Sequence, residues 1–233
     1  MPTRNRGHFV AQSVRYFQRQ DWEHRELIII DDGGEDRSSD FCRNKRIRYV
    51  HKSEPLTIGA KRNLACELAQ GSIIAHWDDD DWYSADRLSI QAAPLVQELG
   101  EVSAFSDCIF CELPKWRFWK CSSLVFSRMF VGDAHAGTLV FRRELFESGM
   151  RYPNSSLAED ALFLYMSHRA GARLCRLSAE GKFIYFRHSR SAWQFACGEY
   201  IDPRGWCRIG EPDIPAEDRI FLKAQWGILK EAK

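Results

Sequence analysis

Apolar residues recur along this chain in two rhythms, and the switching between them is the first structural signal. Phe9, Val10, Val14 and Phe17 keep helical spacing, and Asp21 breaks the pattern beyond them. Leu27-Ile28-Ile29-Ile30 follows as an unbroken run that ends in Asp31-Asp32-Gly33-Gly34. A continuous apolar run of this kind predicts a strand covered on both faces, as in a parallel sheet. Ile47-Arg48-Tyr49-Val50 predicts a second short strand, and residues 58–69 a helix stopped by Gly71. Residues 72–77 predict a third strand, and residues 84–99 a helix with Ser84 as its N-cap.

The second half is less regular. Residues 102–113 read as strand and residues 115–120 as a basic-aromatic loop. Residues 137–141 and 183–186 predict strands, and residues 158–170 and 216–230 helices. Residues 190–215, rich in Gly, Pro and aromatics, predict an ordered loop or lid. Strands alternating with helices imply βαβ units, hence an α/β fold with a mixed, mostly parallel sheet flanked by helices. With no repeat, low-complexity segment or flexible linker, residues 1–233 are expected to form one domain. Ligands in such sheets bind beyond the carboxyl ends of the strands. Asp31-Asp32 and Asp78-Asp79-Asp80-Asp81 both fall at such ends.

That placement gives the acidic run its chemical meaning. Four adjacent carboxylates repel one another and are costly to desolvate without a counter-charge. A hard divalent cation supplies one, taking oxygen ligands and bridging to substrate phosphates. The plainer alternative is a solvated acidic turn capping the next helix.

Composition narrows the classes further. Lys and Arg (33) balance Asp and Glu (32), so no global field recruits nucleic acid, and Lys115, Arg117 and Lys120 make too small a basic patch. No apolar stretch approaches the roughly 20 residues of a membrane span, and no apolar core follows Met1-Pro2-Thr3-Arg4-Asn5-Arg6 to make a signal peptide. Of the eight cysteines only Cys108 and Cys111 are spaced as a metal knuckle, without a second pair. Reduced thiols in a cytoplasmic protein are therefore expected, with peripheral membrane contact left open.

Six segments occur in a recognisable order: Pro2-Thr3-Arg4-Asn5-Arg6, then Glu26 to Gly33, Gly59 to Ala65, Asp78 to Asp81, Glu159-Asp160, and Arg187-His188. Over residues 1 to about 195 the chain resembles the family 2 glycosyltransferases of the GT-A fold. The resemblance implies an inverting, metal-dependent glycosyltransferase of hexosyltransferase type. It would move a sugar from a nucleotide-sugar, foremost a UDP-sugar, to a carbohydrate, lipid-linked or protein acceptor. By that likeness Pro2, Thr3 and Asp32 hold the nucleotide, and a carboxylate such as Asp32 can accept the N3–H of uracil. Lys61 resembles the basic residue facing the nucleotide. Asp78 and Asp79 map near the ribose, and Asp80 to the ligand of Mn²⁺ or Mg²⁺ in the DxD motif. His188 resembles a histidine that binds metal or diphosphate, and Arg187 or Arg190 suits a diphosphate clamp. Asp160 maps to the general base, while Asp81 suits a cap for the next helix. Residues 1–100 would be the nucleotide-binding half and 101–233 the acceptor-binding half, with a C-terminal loop and helix.

One departure stands out. The family carries a β-branched strand immediately before Pro-Thr-x-Asn-Arg, and here Met1 is followed at once by Pro2. Lacking a central strand, its two neighbours would lose partners, a severe loss against a net stability of ~5–15 kcal/mol. Two competitors remain: a sugar nucleotidyltransferase, whose glycine-rich phosphate loop Gly33-Gly34 suggests only without the lysine or arginine signature, and a truncated or degenerate non-catalytic nucleotide-binding domain.

Overall fold

The computed structural model describes residues 1–41 and 44–225, so Cys42 and the expected helical stretch beyond residue 225 lie outside the described residues. In chain order the first half comprises β1 (Pro2–Thr3), α1 (Gly7–Gln18), β2 (Leu27–Asp31), α2 (Ser38–Phe41), β3 (Ile47–His51), α3 (Ile58–Leu68), β4 (Ile73–Ala75), β5 (Trp82–Tyr83) and α4 (Arg87–Val96). The second half comprises β6 (Val102–Phe105), β7 (Ile109–Glu112), β8 (Arg117–Cys121), α5 (Ser123–Met129), β9 (Val140–Arg142) and α6 (Arg143–Glu147). It ends with α7 (Glu159–Arg169), β10 (Leu174–Leu177), β11 (Phe183–Arg187), β12 (Trp206–Ile209) and α8 (Ala216–Gln225).

The strands fall into three hydrogen-bonded sheets, ordered β1-β2-β3, β10-β6-β9-β4 and β12-β8-β7-β11-β5. Parallel pairing runs through β1-β2-β3, as the apolar run in β2 requires; every residue of β2 is buried. The later strands add antiparallel ladders, because short connections such as that between β7 and β8 leave no room for a crossover helix. β2 and β4 belong to different ladders, and an apolar cavity of ≈160 Å³ lined by Met1, Leu27, Ile28, Ile73 and Ile74 lies between them.

Four stretches depart from the sequence reading. Residues 102–113 are two strands, since the chain turns at residues 106–108 and passes from the β6 sheet to the β7 sheet. The basic-aromatic stretch is not a loop but β8, pairing Phe110 with Trp119, Cys111 with Phe118 and Glu112 with Arg117. Phe118 is buried while Arg117 and Lys120 face outward, and these solvated cations masked the alternation. Helix α4 starts at Arg87, beyond Ser84, whose hydroxyl donates to Asp86 Oδ1 (2.6 Å) and caps no helical N–H. The expected lid contains β12, which pairs antiparallel with β8.

Two apolar clusters result. The larger packs α1, β5, β7, β8 and β11 around Phe105, Phe110 and Phe183, and the smaller packs β6, β9 and α7 around Phe141 and Phe163. Among the described residues no helix is long and apolar enough to cross a membrane.

Candidate functional site

The loop after β1, the ends of β4 and β11, and the starts of α3 and α7 converge on a cavity of ≈860 Å³. Pro2, Thr3, Lys61, Asp78, Asp79, Asp80 and Asp160 line it directly. Asp32 and His188 stand behind its wall, each bonded to a residue that lines it.

On the β1–β2 side, the Lys61 ammonium donates to Asp32 Oδ1 (2.7 Å) and to the Thr3 carbonyl (3.0 Å), and Asp32 Oδ2 accepts the Leu56 N–H (2.7 Å). Burial alone would raise the Asp32 carboxyl, but the Lys61 and Leu56 hydrogen bonds outweigh it and hold it below the usual carboxylate range. Asp31 serves the turn: Oδ1 accepts the Gly33 N–H (2.8 Å) and Oδ2 the Tyr49 hydroxyl (2.7 Å).

The four aspartates have four different surroundings. Asp78 Oδ1 accepts from Arg62 Nη2 (2.9 Å). Asp79 accepts the Thr3 hydroxyl (2.6 Å) and Arg6 Nη1 (2.9 Å). Asp80 Oδ2 accepts from Arg6 Nη1 (2.8 Å) and lies 3.0 Å from His188 Nε2. Asp81 turns inward, where its Oδ1 accepts the Phe186 N–H of β11 (2.9 Å). It therefore caps a strand and not the next helix. Burial and the charge of Asp80 push the Asp79 carboxyl up, despite Arg6 and Thr3. Burial opposes ionisation of Asp80, yet the His188 hydrogen bond and Arg6 bring it below its ordinary value.

His188 has a defined tautomer in this geometry. Its Nδ1 accepts the Arg190 N–H (3.1 Å), so in the neutral ring the proton sits on Nε2 and is donated to Asp80. Phe9 stacks on the ring at 5.4 Å. Asp80 offers an oxygen donor to Mn²⁺ or Mg²⁺, and His188 adds a nitrogen donor beside it only where Nε2 gives up the proton it shares with Asp80. Among the described residues no three such side chains gather as a complete metal cage.

Asp160 is the second residue of α7, and Ala158 before the helix takes the left-handed conformation (φ 59°). Holding a residue with a Cβ there costs free energy, and it turns the helix start toward the cavity. Burial and the neighbouring Glu159 raise the Asp160 carboxyl to about 6, with Arg62 opposing and Asp78 reinforcing. Its Oδ1 accepts only the adjacent Ala161 N–H (2.7 Å).

Two arginines absent from the expected site residues hold these groups together. Arg62, 6 % exposed, spans from Asp78 to Glu159 Oε1 (3.1 Å), joining the end of β4 to the start of α7 through α3. Arg6 bridges Asp79 and Asp80. Both lie inside the quoted segments, but nothing in their local spacing marks which carboxylates they meet.

Comparison with known proteins gives a consistent picture. Residues 1–148 match the family described as Glycosyl transferase family 2. The putative colanic acid biosynthesis glycosyl transferase WcaA of Escherichia coli is 31% identical over 117 residues, covering 48% of this chain and 42% of that protein. The chain thus spans under half the length of that curated relative. Among solved structures, Staphylococcus aureus TarS 1-349 in complex with UDP-GlcNAc superposes with TM-score 0.64 at 21% identity, covering 85% of this chain and 61% of that one. The mannosyltransferase PcManGT of Pyrobaculum calidifontis, in complex with GDP-Man and Mn²⁺, gives TM-score 0.62 at 16% identity, covering 82% and 56%.

Proposed function

The chain belongs to glycosyl transferase family 2 and has the GT-A fold, and on that premise we propose that it moves a sugar from a nucleoside diphosphate sugar to a hydroxyl acceptor with inversion at the anomeric carbon. The observation that carries this reading is the meeting of Lys61, Asp78, Asp79, Asp80 and Asp160 around one cavity of ≈860 Å³. UDP-sugars are the leading donors, in keeping with the UDP-GlcNAc held by TarS; PcManGT, with GDP-Man, is the counter-example.

In this mechanism Pro2 and Thr3 shape the nucleotide's seat. Asp78 and Asp79 would meet the ribose, and Asp32, behind the wall, would act on the nucleotide's seat through Lys61, which it fixes. The Lys61 ammonium favours the diphosphate. Asp160 takes the proton from the acceptor hydroxyl as that oxygen attacks the face of the sugar opposite the leaving group, and its raised carboxyl value suits a base working near neutrality. A divalent cation, Mn²⁺ or Mg²⁺, would be held by Asp80, joined by His188 Nε2 once that nitrogen has released its proton, and would supply the charge that steadies the departing diphosphate. Residues 1–100 would carry the donor and residues 101–233 the acceptor within one domain. The free thiols among the described residues agree with a cytoplasmic setting.

Product analysis tests the reading. Incubation with a panel of nucleotide sugars, Mn²⁺ and hydroxyl acceptors should release nucleoside diphosphate and yield a product of inverted configuration. Pyrophosphate release would instead favour the nucleotidyltransferase. Nucleotide binding with no turnover of any donor would favour a non-catalytic fold. D160N should keep nucleotide binding and lose at least about 10²-fold in turnover.

A further inference from the structure

One end of the cavity carries polar groups that sugar transfer as described leaves unused. Tyr185 and Arg187 alternate along β11 and share one face of the strand, whereas His188, the next residue along, turns to Asp80. Arg187 is 5 % exposed, and among the described residues no carboxylate lies within salt-bridge distance of it. Its guanidinium lies over the rings of Tyr185 (4.9 Å) and Phe195 (4.4 Å) and donates through Nη1 to the Tyr185 hydroxyl (2.9 Å), while Nε has no partner. Beside it, His135 is 3 % exposed and neither ring nitrogen has a hydrogen-bond partner. The imidazole packs against Tyr185 at 4.4 Å and Phe130 at 4.5 Å. Burial and the Arg187 charge bring its value down to about 3, so it is neutral, with one N–H to give and one lone pair to receive. His135, Tyr185 and Arg187 all line the cavity that holds Asp80 and Asp160.

Buried polar groups are hydrogen-bonded, and buried charges are paired. Arg62 follows that rule and Arg87 does not. Arg62 has two carboxylates; Arg87, away from the cavity, has the neutral acceptors Gln91 Oε1 (2.8 Å) and the Thr138 carbonyl (3.4 Å) and leaves Nη1 unpartnered. Arg187 alone of these three lines the cavity without a salt bridge, and the carboxylate whose charge it feels, the buried Asp81, gives one oxygen to the Phe186 N–H and none to Arg187. Arg6 already supplies the cation beside Asp79 and Asp80.

We propose that Arg187, Tyr185 and His135 form an acceptor subsite for an anionic polyol, in which Arg187 holds a phosphate or carboxylate and His135 a neighbouring hydroxyl. This rests on the sugar-transfer reading above and names its acceptor class. Arginine pairs with either oxyanion through parallel N–H donors, and the neutral imidazole matches a hydroxyl that both donates and accepts.

Calorimetric titration in the presence of UDP and Mn²⁺ provides the test, with glycerol 1-phosphate and glucuronate as charged probes and glycerol and glucose as their neutral partners. Wild type should bind at least one charged probe about tenfold or more tightly than its neutral partner, and which one binds separates phosphate from carboxylate. R187Q should abolish that preference while holding UDP within about threefold of wild type, and R187K should restore part of it. H135F, which keeps the ring and loses both nitrogens, should weaken the charged probe while leaving the fold and UDP affinity intact. Equal affinity for charged and neutral probes in wild type would overturn the subsite. So would an R187Q protein that loses UDP more than uridine, since Arg187 would then clamp the donor diphosphate. Failure of wild type to bind UDP is read in the same titration and counts against the sugar-transfer reading itself.

Discussion

Asp160 shows how one residue's surroundings set both chemistry and stability. Its carboxyl sits at about 6 in the fold against 3.8 ordinarily, because it is buried beside Glu159. As a base it must be ionised, so kcat/KM should fall about tenfold per pH unit below about 6. The stability effect has the opposite sense. Between pH 3.8 and about 6 the folded carboxyl keeps a proton that the unfolded one has lost, so stability falls as pH rises through that window. D160N cannot ionise there. Above pH 6 it should be more stable than wild type by ~1–2 kcal/mol in denaturant titrations, the difference vanishing near pH 4. Asp32 has the reverse arrangement, its lowered value set by Lys61 and the Leu56 N–H, and its contribution is lost as pH drops through that lowered value. That an aspartate lies at each position was plain in the motif. Which of them is raised and which lowered depends on neighbours that the motif does not contain.

At the scale of elements, Arg62 is the joint between α3, the end of β4 and the start of α7. Replacing it with methionine leaves Glu159 buried without its cation, and breaking a buried pair in this way costs about 3 kcal/mol or more. R62M should therefore melt markedly lower. The double variant R62M/E159Q should recover part of the loss, giving a coupling of ~1–3 kcal/mol in a double-mutant cycle. Helices α1, α3 and α7 and strand β2 were legible, because helical spacing in the first three and an unbroken apolar run in the last extend over enough residues to be read. Strands β6 and β7 were not separable in the same way. Alternation in residues 102–113 is identical whether the strand is one or two, and only its partners reveal the change of sheet. In β8 the outward cations Arg117 and Lys120 hid a single buried Phe118.

For the whole molecule, the telling feature is that donors from both halves face one cavity. A nucleotide that binds only the folded chain raises its stability by about 2.7 kcal/mol at a hundred times its Kd, or roughly 5–10 °C in melting temperature for a chain of this size. A thermal-shift screen of UDP and UDP-sugars should give that rise in full only with Mn²⁺ present, and a D80N variant should lose the part that Mn²⁺ adds. An equal shift without the cation would leave Arg6 as the sole counter-charge for Asp79 and Asp80.

What the sequence determined by itself were properties carried within a few consecutive residues: the buried run of β2, the acidic row after β4, the paired acids opening α7, and the order of motifs that identifies the family. Burial rhythm and carboxylate repulsion are local, so they are written locally. The tertiary structure alone decided which cation meets which carboxylate. Arg6 reaches Asp79 across 73 positions and Arg62 reaches Glu159 across 97. It alone also decided that Arg187 and His135 face a cavity with donors to spare. Pairings over such distances are selected by packing in three dimensions, and they leave no period or spacing along the chain to be read.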